Sequence, residues 1–292
     1  MGVAVVTDGA ASLPAGLSDD LRIGVVPLHL LADGADLGDP AVPLADVVSR
    51  AGPGMHTSAP SPGEFLAALE PLCGNGDGGA VVITVAGHVS ASFTSAWLAG
   101  RELGDAAVRV VDSHTAAGAQ ALVVIAAAEA AAAGEPLARV EARARMVADR
   151  VRLVATLPGL DHLARSGRVP GLAASAGRLL GLHPLFAFEP AGVRRLRPAR
   201  SRTAALQRIV AACLADRPSA GAALHAAALH ALAEGDAAAL LAAVQARTAV
   251  VQAFTAEFTA AMAVHTGPGV VGLAWWWDDA GHTGPERQGG CP

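Results

Sequence analysis

The strongest constraint in this chain is a set of short, β-branched apolar runs that stop abruptly at polar residues or small-residue loops. Val3–Thr7 ends at Asp8, Ala80–Val85 at Ala86-Gly87-His88, and Val108–Val111 at Asp112-Ser113. Runs of this length without polar alternation predict strands covered on both faces of a parallel sheet. Gly24–Leu30 is a fourth candidate. Helical patterns lie between and after them, at Pro62–Leu72, Ser92–Leu103 and Thr115–Ala133. This alternation predicts an α/β fold whose N-terminal domain is an α/β/α layer structure on a parallel sheet. Ligands of such sheets gather beyond the carboxyl ends of the strands.

Near residue 150 the pattern changes. Pro136–Val151 is a charged amphipathic helix, followed by a strand-like Val151–Ala155, Leu157–Arg165, a Ser166-Gly167-Arg168 turn and a small-residue helix from Leu172 to Leu180. His183–Phe188 and Val193–Leu196 read as paired strands. Helices at Thr203–Ala215 and Ala233–Ala246 straddle a strand around Ala220–Leu229, and Gly269–Trp276 is the last strand. The expectation is a first domain at 1–150, a second α/β domain with a mixed sheet at 151–277, and a disordered, polar, Gly-rich tail at 278–292.

Composition removes several function classes. Hydrophobic residues make up 52%, charged residues 16%, and mean hydropathy is +0.42. Yet no run of about 18 uninterrupted apolar residues, the length of a membrane span, is present. The greasiest stretch, Ala121–Ala133, is short and carries Glu129, so it predicts a buried helix rather than a membrane insertion. The start lacks the basic region of a signal peptide and reads as a first strand, which places the protein in the cytosol. A net charge of −5 argues against nucleic acid as a partner, although arginines cluster between Arg194 and Arg202. Lysine is absent, which removes the Walker A phosphate loop, Schiff-base chemistry and lysine-anchored pyridoxal phosphate. Cys73, Cys213 and Cys291 are far apart and suggest neither a disulfide framework nor a zinc site.

Among motifs, Gly74-Asn75-Gly76-Asp77-Gly78-Gly79 spells G-x-G-x-x-G but precedes a strand, where a dinucleotide fingerprint must follow one; a flexible loop is expected. No G-x-S-x-G elbow is present. His225 and His230 are five apart and miss the helical spacing of metal ligands. Three segments remain: Thr57-Ser58-Ala59-Pro60-Ser61, Ser90-Ala91-Ser92-Phe93-Thr94-Ser95, and His265-Thr266-Gly267-Pro268-Gly269. Ser61, with Pro62 and Glu64 behind it, has the pattern of a helix cap, and a capped helix start also offers free N–H groups to an anion. Small hydroxyls at loop tips beside apolar walls suit an amphiphile with an acid at one end.

Taken in order, these segments together with the opening Val-Thr-Asp, Val111-Asp112-Ser113, Gly167-Arg168 and Arg200-Ser201 resemble the DegV family of bacterial fatty-acid-binding proteins. Members of that family serve as the acyl-carrier subunit of fatty acid kinase. The likeness runs from Val3 to about Trp277. It implies a two-domain fold with one long-chain fatty acid between the domains and no cofactor or metal. It also implies a carboxylate held by Thr57, Ser58, Ser90, Ala91 and Ser92, with His265 organising the network from the other domain. Arg168 and Arg200 are implied to face the ATP-binding kinase subunit, which phosphorylates the carboxylate to an acyl phosphate while the carrier catalyses nothing itself. The sequence departs from the pattern at Gly9, Ala10, Ala86 and Gly87, where the family has small hydroxyl residues, and at Ala59 and Ala91. Two other readings of the same residues stand open. One is a serine hydrolase or acyl transferase using Ser90 or Ser92 with His265 and Asp8 or Asp112; the other is a binding module for a different small carboxylate.

Overall fold

The three apolar runs become neighbouring strands of one sheet. The structure is a computed structural model that describes residues 2–32, 34–36, 43–50, 54–73, 78–104, 106–167, 181–189 and 192–278. In chain order the first part comprises β1 (Ala4–Asp8), α1 (Leu17–Asp20), β2 (Ile23–Val26), β3 (His29–Ala32), β4 (Ala35–Asp36) and α2 (Leu44–Arg50). It continues with β5 (Met55–Ser58), α3 (Pro62–Cys73), β6 (Ala80–Thr84), α4 (Ser92–Leu103), β7 (Val108–Asp112), α5 (Ala117–Ala132) and α6 (Leu137–Arg150). The second part holds β8 (Arg152–Thr156), α7 (Asp161–Ser166), β9 (His183–Glu189), β10 (Gly192–Ala199) and α8 (Arg202–Ala215). It ends with β11 (Ala223–His230), α9 (Glu234–Gln245), β12 (Val250–Glu257), α10 (Ala260–Thr266) and β13 (Val271–Asp278).

Four strands form an all-parallel sheet in the order β2-β1-β6-β7. Six form a mixed sheet in the order β10-β9-β8-β13-β11-β12, antiparallel throughout except for β11 with β12. A small antiparallel sheet, β4-β3-β5, carries Thr57 and Ser58. The chain is therefore α/β, with a parallel N-terminal sheet and a mixed C-terminal one.

Side-chain alternation explains the layering. On β6, Val81 and Ile83 face α5 and α6, whereas Ala80 and Val82 face Phe65 and Leu69 of α3 and Ala96 and Ala99 of α4. On β13, Ala274 and Trp276 join the core shared with α5 and α6. Val271, Leu273, Trp275 and Trp277 point the other way, to Ile209 of α8 and Leu240 of α9. The α5/α6 pair thus lies between the two sheets, and every residue from Ala117 to Ala128 is buried, as expected of a helix that is apolar all round. Closeness there depends on Gly118: a Cβ at that position would sit 2.2 Å from Leu229 Cδ2 on β11. No described helix is long and apolar enough to cross a membrane.

Several expected elements shift. Gly24–Leu30 is not one strand but two in different sheets, broken around Pro27, a residue with no N–H to give to a ladder. Thr57 and Ser58 belong to a strand rather than a loop, paired with Leu30 and His29. Asp278, expected in the tail, closes β13 opposite Ala223. Strand β12 and helix α2 are additions to the expected elements. The small-residue helix at Leu172–Leu180, Arg168, most of the glycine-rich loop (Gly74–Asp77), Cys291 and the rest of the tail lie outside the described residues.

Candidate ligand-binding cavity

Three loop or strand ends and one face of the mixed sheet enclose a cavity of about 630 Å³, within the size range of small-molecule sites. Leu153 and Ala155 of β8 and Phe186 and Phe188 of β9 line it at two-residue spacing, so a single face of the sheet forms one wall. Val193, Leu229, Phe258, Met262 and Val270 extend the apolar lining. The opposite wall comes from the carboxyl ends of the parallel strands: Ala10 after β1, and Val85 with Gly87 to Ala91 after β6. Polar groups on the lining are few: Thr57, Ser58, His88, Ser90, Thr94, His265 and Thr266.

Thr57 and His265 meet across the cavity boundary, with Thr57 Oγ1 2.6 Å from His265 Nε2. The strand β5 places Thr57 by pairing with β3, and α10 places His265 in its last turn. The Gly-Pro-Gly after it is required by space as well as by conformation. Gly267 has φ +76° and a Cβ there would lie 2.5 Å from the His162 ring; Gly269 has φ +79° and would meet Pro158 at 2.7 Å. His265 therefore lies in the last turn of a helix, directly before the Gly267–Gly269 turn, and the two glycines hold that end against α7 and the β8–α7 loop.

On the facing wall, Ser90 lines the cavity and Ser92 does not. Ser92 is fully buried at the start of α4, its N–H donating to Ser90 Oγ at 3.2 Å and its Oγ 3.0 Å from Ser90 Oγ. Behind it lies Asp8, also fully buried. The Asp8 carboxylate accepts from the N–H groups of Ala10 (3.0 Å) and Val85 (2.9 Å), from Gln120 Nε2 (3.0 Å) and from the Ser92 hydroxyl. Burial nevertheless pushes its pKa up, the hydrogen bonds opposing that shift. Ser61 and Glu64 form the expected capping box at α3: Ser61 N–H donates to Glu64 Oε2 at 2.8 Å and Glu64 N–H to Ser61 Oγ at 3.3 Å.

Of the residues singled out in the sequence, the fold brings Thr57, Ser58, Ser90, Ala91 and His265 onto one cavity. Arg200 sits exposed on the bend before α8, away from the lining. Both acids named for a hydrolytic triad accept hydrogen bonds from backbone N–H groups, and Asp8 also accepts from the Ser92 hydroxyl. Asp8 is held as above, and Asp112 accepts from the N–H groups of Gly87 (3.0 Å) and His114 (2.8 Å). Among the described residues no group of three or more His, Cys, Asp or Glu side chains is arranged to hold a metal ion. Sequence reasoning missed His88 and the sheet wall, and named Thr94 only as part of the Ser90–Ser95 segment. The alternation Leu153-x-Ala155 and Phe186-x-Phe188 was the available signal, but nothing in it says which face of a doubly covered sheet meets a ligand.

Comparison with known proteins gives this architecture a family. The sequence profile of the DegV family matches residues 2–277. The chain belongs to the DegV family. A DegV domain-containing protein of Mycobacterium tuberculosis is 36% identical over 279 residues, which is 94% of this chain and 96% of that one. Among solved structures, a DegV family protein from Thermus thermophilus, described by its fatty acid binding, superposes with a TM-score of 0.88 at 27% identity, covering 94% of this chain and 99% of its own. DegV of Bacillus subtilis, described as a fatty acid binding protein, gives 0.83 at 26% identity, over 95% and 100% of the two chains.

Proposed function

We propose that this DegV-family chain carries a single long-chain fatty acid in the cavity, its carboxylate at Thr57, Ser90 and His265 and its hydrocarbon against the sheet wall. The observation that carries this reading is the pairing of a few hydroxyls and one imidazole with an otherwise apolar cavity of about 630 Å³. The relatives from Thermus thermophilus and Bacillus subtilis, which are described as fatty acid binding, support the ligand class. Burying ~14 methylenes at about 0.8 kcal/mol each is worth roughly 11 kcal/mol before the costs of association. Hydroxyl donors and an imidazole orient an acid without supplying a nucleophile activated by a base and a third orienting group. The carrier reading is tested by extracting and weighing the lipid that co-purifies, by native mass spectrometry. Thr57→Ala with Ser90→Ala is expected to leave the fold intact and lower occupancy by about tenfold or more, since two hydrogen bonds to a charged group are lost. Full occupancy in the folded double variant would sink the site assignment.

The carrier acts in the cytosol and presents the carboxylate to the ATP-binding subunit of a fatty acid kinase, which makes the acyl phosphate. Arg200, exposed and off the cavity lining, is a residue for that partner rather than for the lipid; Arg168 belongs to the same role. Arg200→Ala is expected to keep its lipid and to slow acyl phosphate formation by the added kinase. Unchanged turnover would remove Arg200 from the partner face.

A further inference from the structure

Asp8 does nothing in a simple picture of carboxylate binding, yet it is a fully buried acid two hydrogen bonds from the cavity. Counting hydrogens gives it a role. An ionised carboxylate accepts only, so the Ser92 hydroxyl must give its single hydrogen to Asp8. The 3.0 Å contact between Ser92 Oγ and Ser90 Oγ then holds the hydrogen of Ser90, which points inward, away from the cavity. Ser90 also accepts from Ser92 N–H, so in this state it turns lone pairs towards a ligand that itself only accepts. A neutral Asp8 reverses the chain: its O–H donates to Ser92, Ser92 donates to Ser90, and the Ser90 hydrogen is free for the ligand.

We propose that Asp8 is a positioning residue that sets the donor direction of the Ser92–Ser90 hydroxyl pair, so that binding a carboxylate at Ser90 is linked to uptake of one proton by Asp8 from solvent. No covalent bond changes among the heavy atoms; a negative charge enters with the ligand and another is neutralised behind the serine. The surroundings leave Asp8 as the titrating member. The groups packed on it are Ala10 N–H of its own loop, Val85 N–H after β6, Gln120 of α5 and Ser92 of α4, none of them ionisable. Burial favours the neutral form, while the four hydrogen bonds favour the charged one, and the ligand tips that balance. His265 and His88 also line the cavity and are titratable. They are common to the wild type and to a Ser92 variant, so a difference between those two proteins reports the relay.

This inference rests on the reading of Ser90 as a carboxylate ligand. Its test is calorimetric titration with dodecanoate between about pH 6 and pH 9, above the range where the ligand's own carboxyl titrates. Repeating it in two buffers of different protonation enthalpy gives the protons taken up. In the wild type the affinity is expected to weaken about three- to tenfold towards high pH, the worth of one hydrogen bond, with proton uptake on binding. Ser92→Ala frees the Ser90 hydrogen at every pH. It is expected to raise the high-pH affinity to the low-pH level and abolish that uptake. Equal pH slopes and equal uptake in the two proteins would overturn the relay while leaving the carrier reading in place. Absence of proton uptake in the wild type overturns it without any variant. Failure of the delipidated wild type to bind either dodecanoate or hexadecanoate at any pH would remove both.

Discussion

His29 joins two acids beside the strand that carries Thr57. Its Nδ1 lies 2.5 Å from Asp36 and its Nε2 3.0 Å from Glu64, while its backbone is in register with Ser58. The Asp36 hydrogen bond is the main reason its pKa is raised, with Glu64 adding to it. Glu64 is held below the usual carboxylate range, first by the Ser61 hydroxyl and backbone N–H and then by His29. The signs define a window. A raised histidine contributes stability that is complete below its unfolded value of about 6.5 and is lost as pH rises through its folded value. A depressed carboxylate contributes above about 4.3 and loses it as pH falls through its lower folded value. His29→Gln is therefore expected to lower Tm most between roughly pH 4.5 and 6.5. The gap narrows above that range as the wild-type imidazole loses its proton, and below it as Glu64 gains one. A gap that stays constant up to high pH, in thermal unfolding followed by circular dichroism, would show that His29 acts through packing alone.

At the scale of elements, legibility follows how uniform each environment is. Strands β1 and β6 were readable because they are central, buried on both faces and continuously apolar. Strand β12 lies at the edge of the mixed sheet, where Val251, Ala253 and Glu257 are exposed. Its exposed side therefore mixes apolar and charged residues, and its half-buried side mixes Gln252 with Phe254, so no period-2 signal survives. The division of Gly24–Leu30 between two sheets is a tertiary event, since Val25 and Val26 carry the same propensity whichever sheet they join. Among site elements, Ser90 and Thr57 were singled out as hydroxyls at loop tips, whereas the strand that holds Thr57 was not foreseen. The burial of Ser92 was not legible, because one residue of phase on α4 decides between cavity and core. The Asp8 network was equally silent: its donors come from residues 10, 85, 92 and 120, far apart in the chain.

For the whole molecule, the high apolar content is a consequence of five layers, helix, sheet, helix, sheet, helix, in which both large sheets are covered on both faces. We place a topological boundary near residue 150, between the α5/α6 pair that follows the last strand of the parallel sheet and the first strand of the mixed one, but the core does not respect it. One cluster runs from Val5 and Val81 through Leu122, Val140 and Val147 to Leu153, Leu229 and Trp276. Removing either sheet would expose the α5/α6 layer, whose Ala117–Ala128 segment has no polar side to turn to water apart from Gln120. The halves are thus expected to unfold together: scanning calorimetry should give one transition whose calorimetric and van't Hoff enthalpies agree. A bound fatty acid, contacting both walls, should raise that single Tm, by the equivalent of about 2.7 kcal/mol at a free concentration a hundredfold above Kd. Two resolved transitions, or a lipid that shifts only one of them, would mean that the shared helical layer belongs energetically to one sheet and that the cavity wall on the other side opens independently.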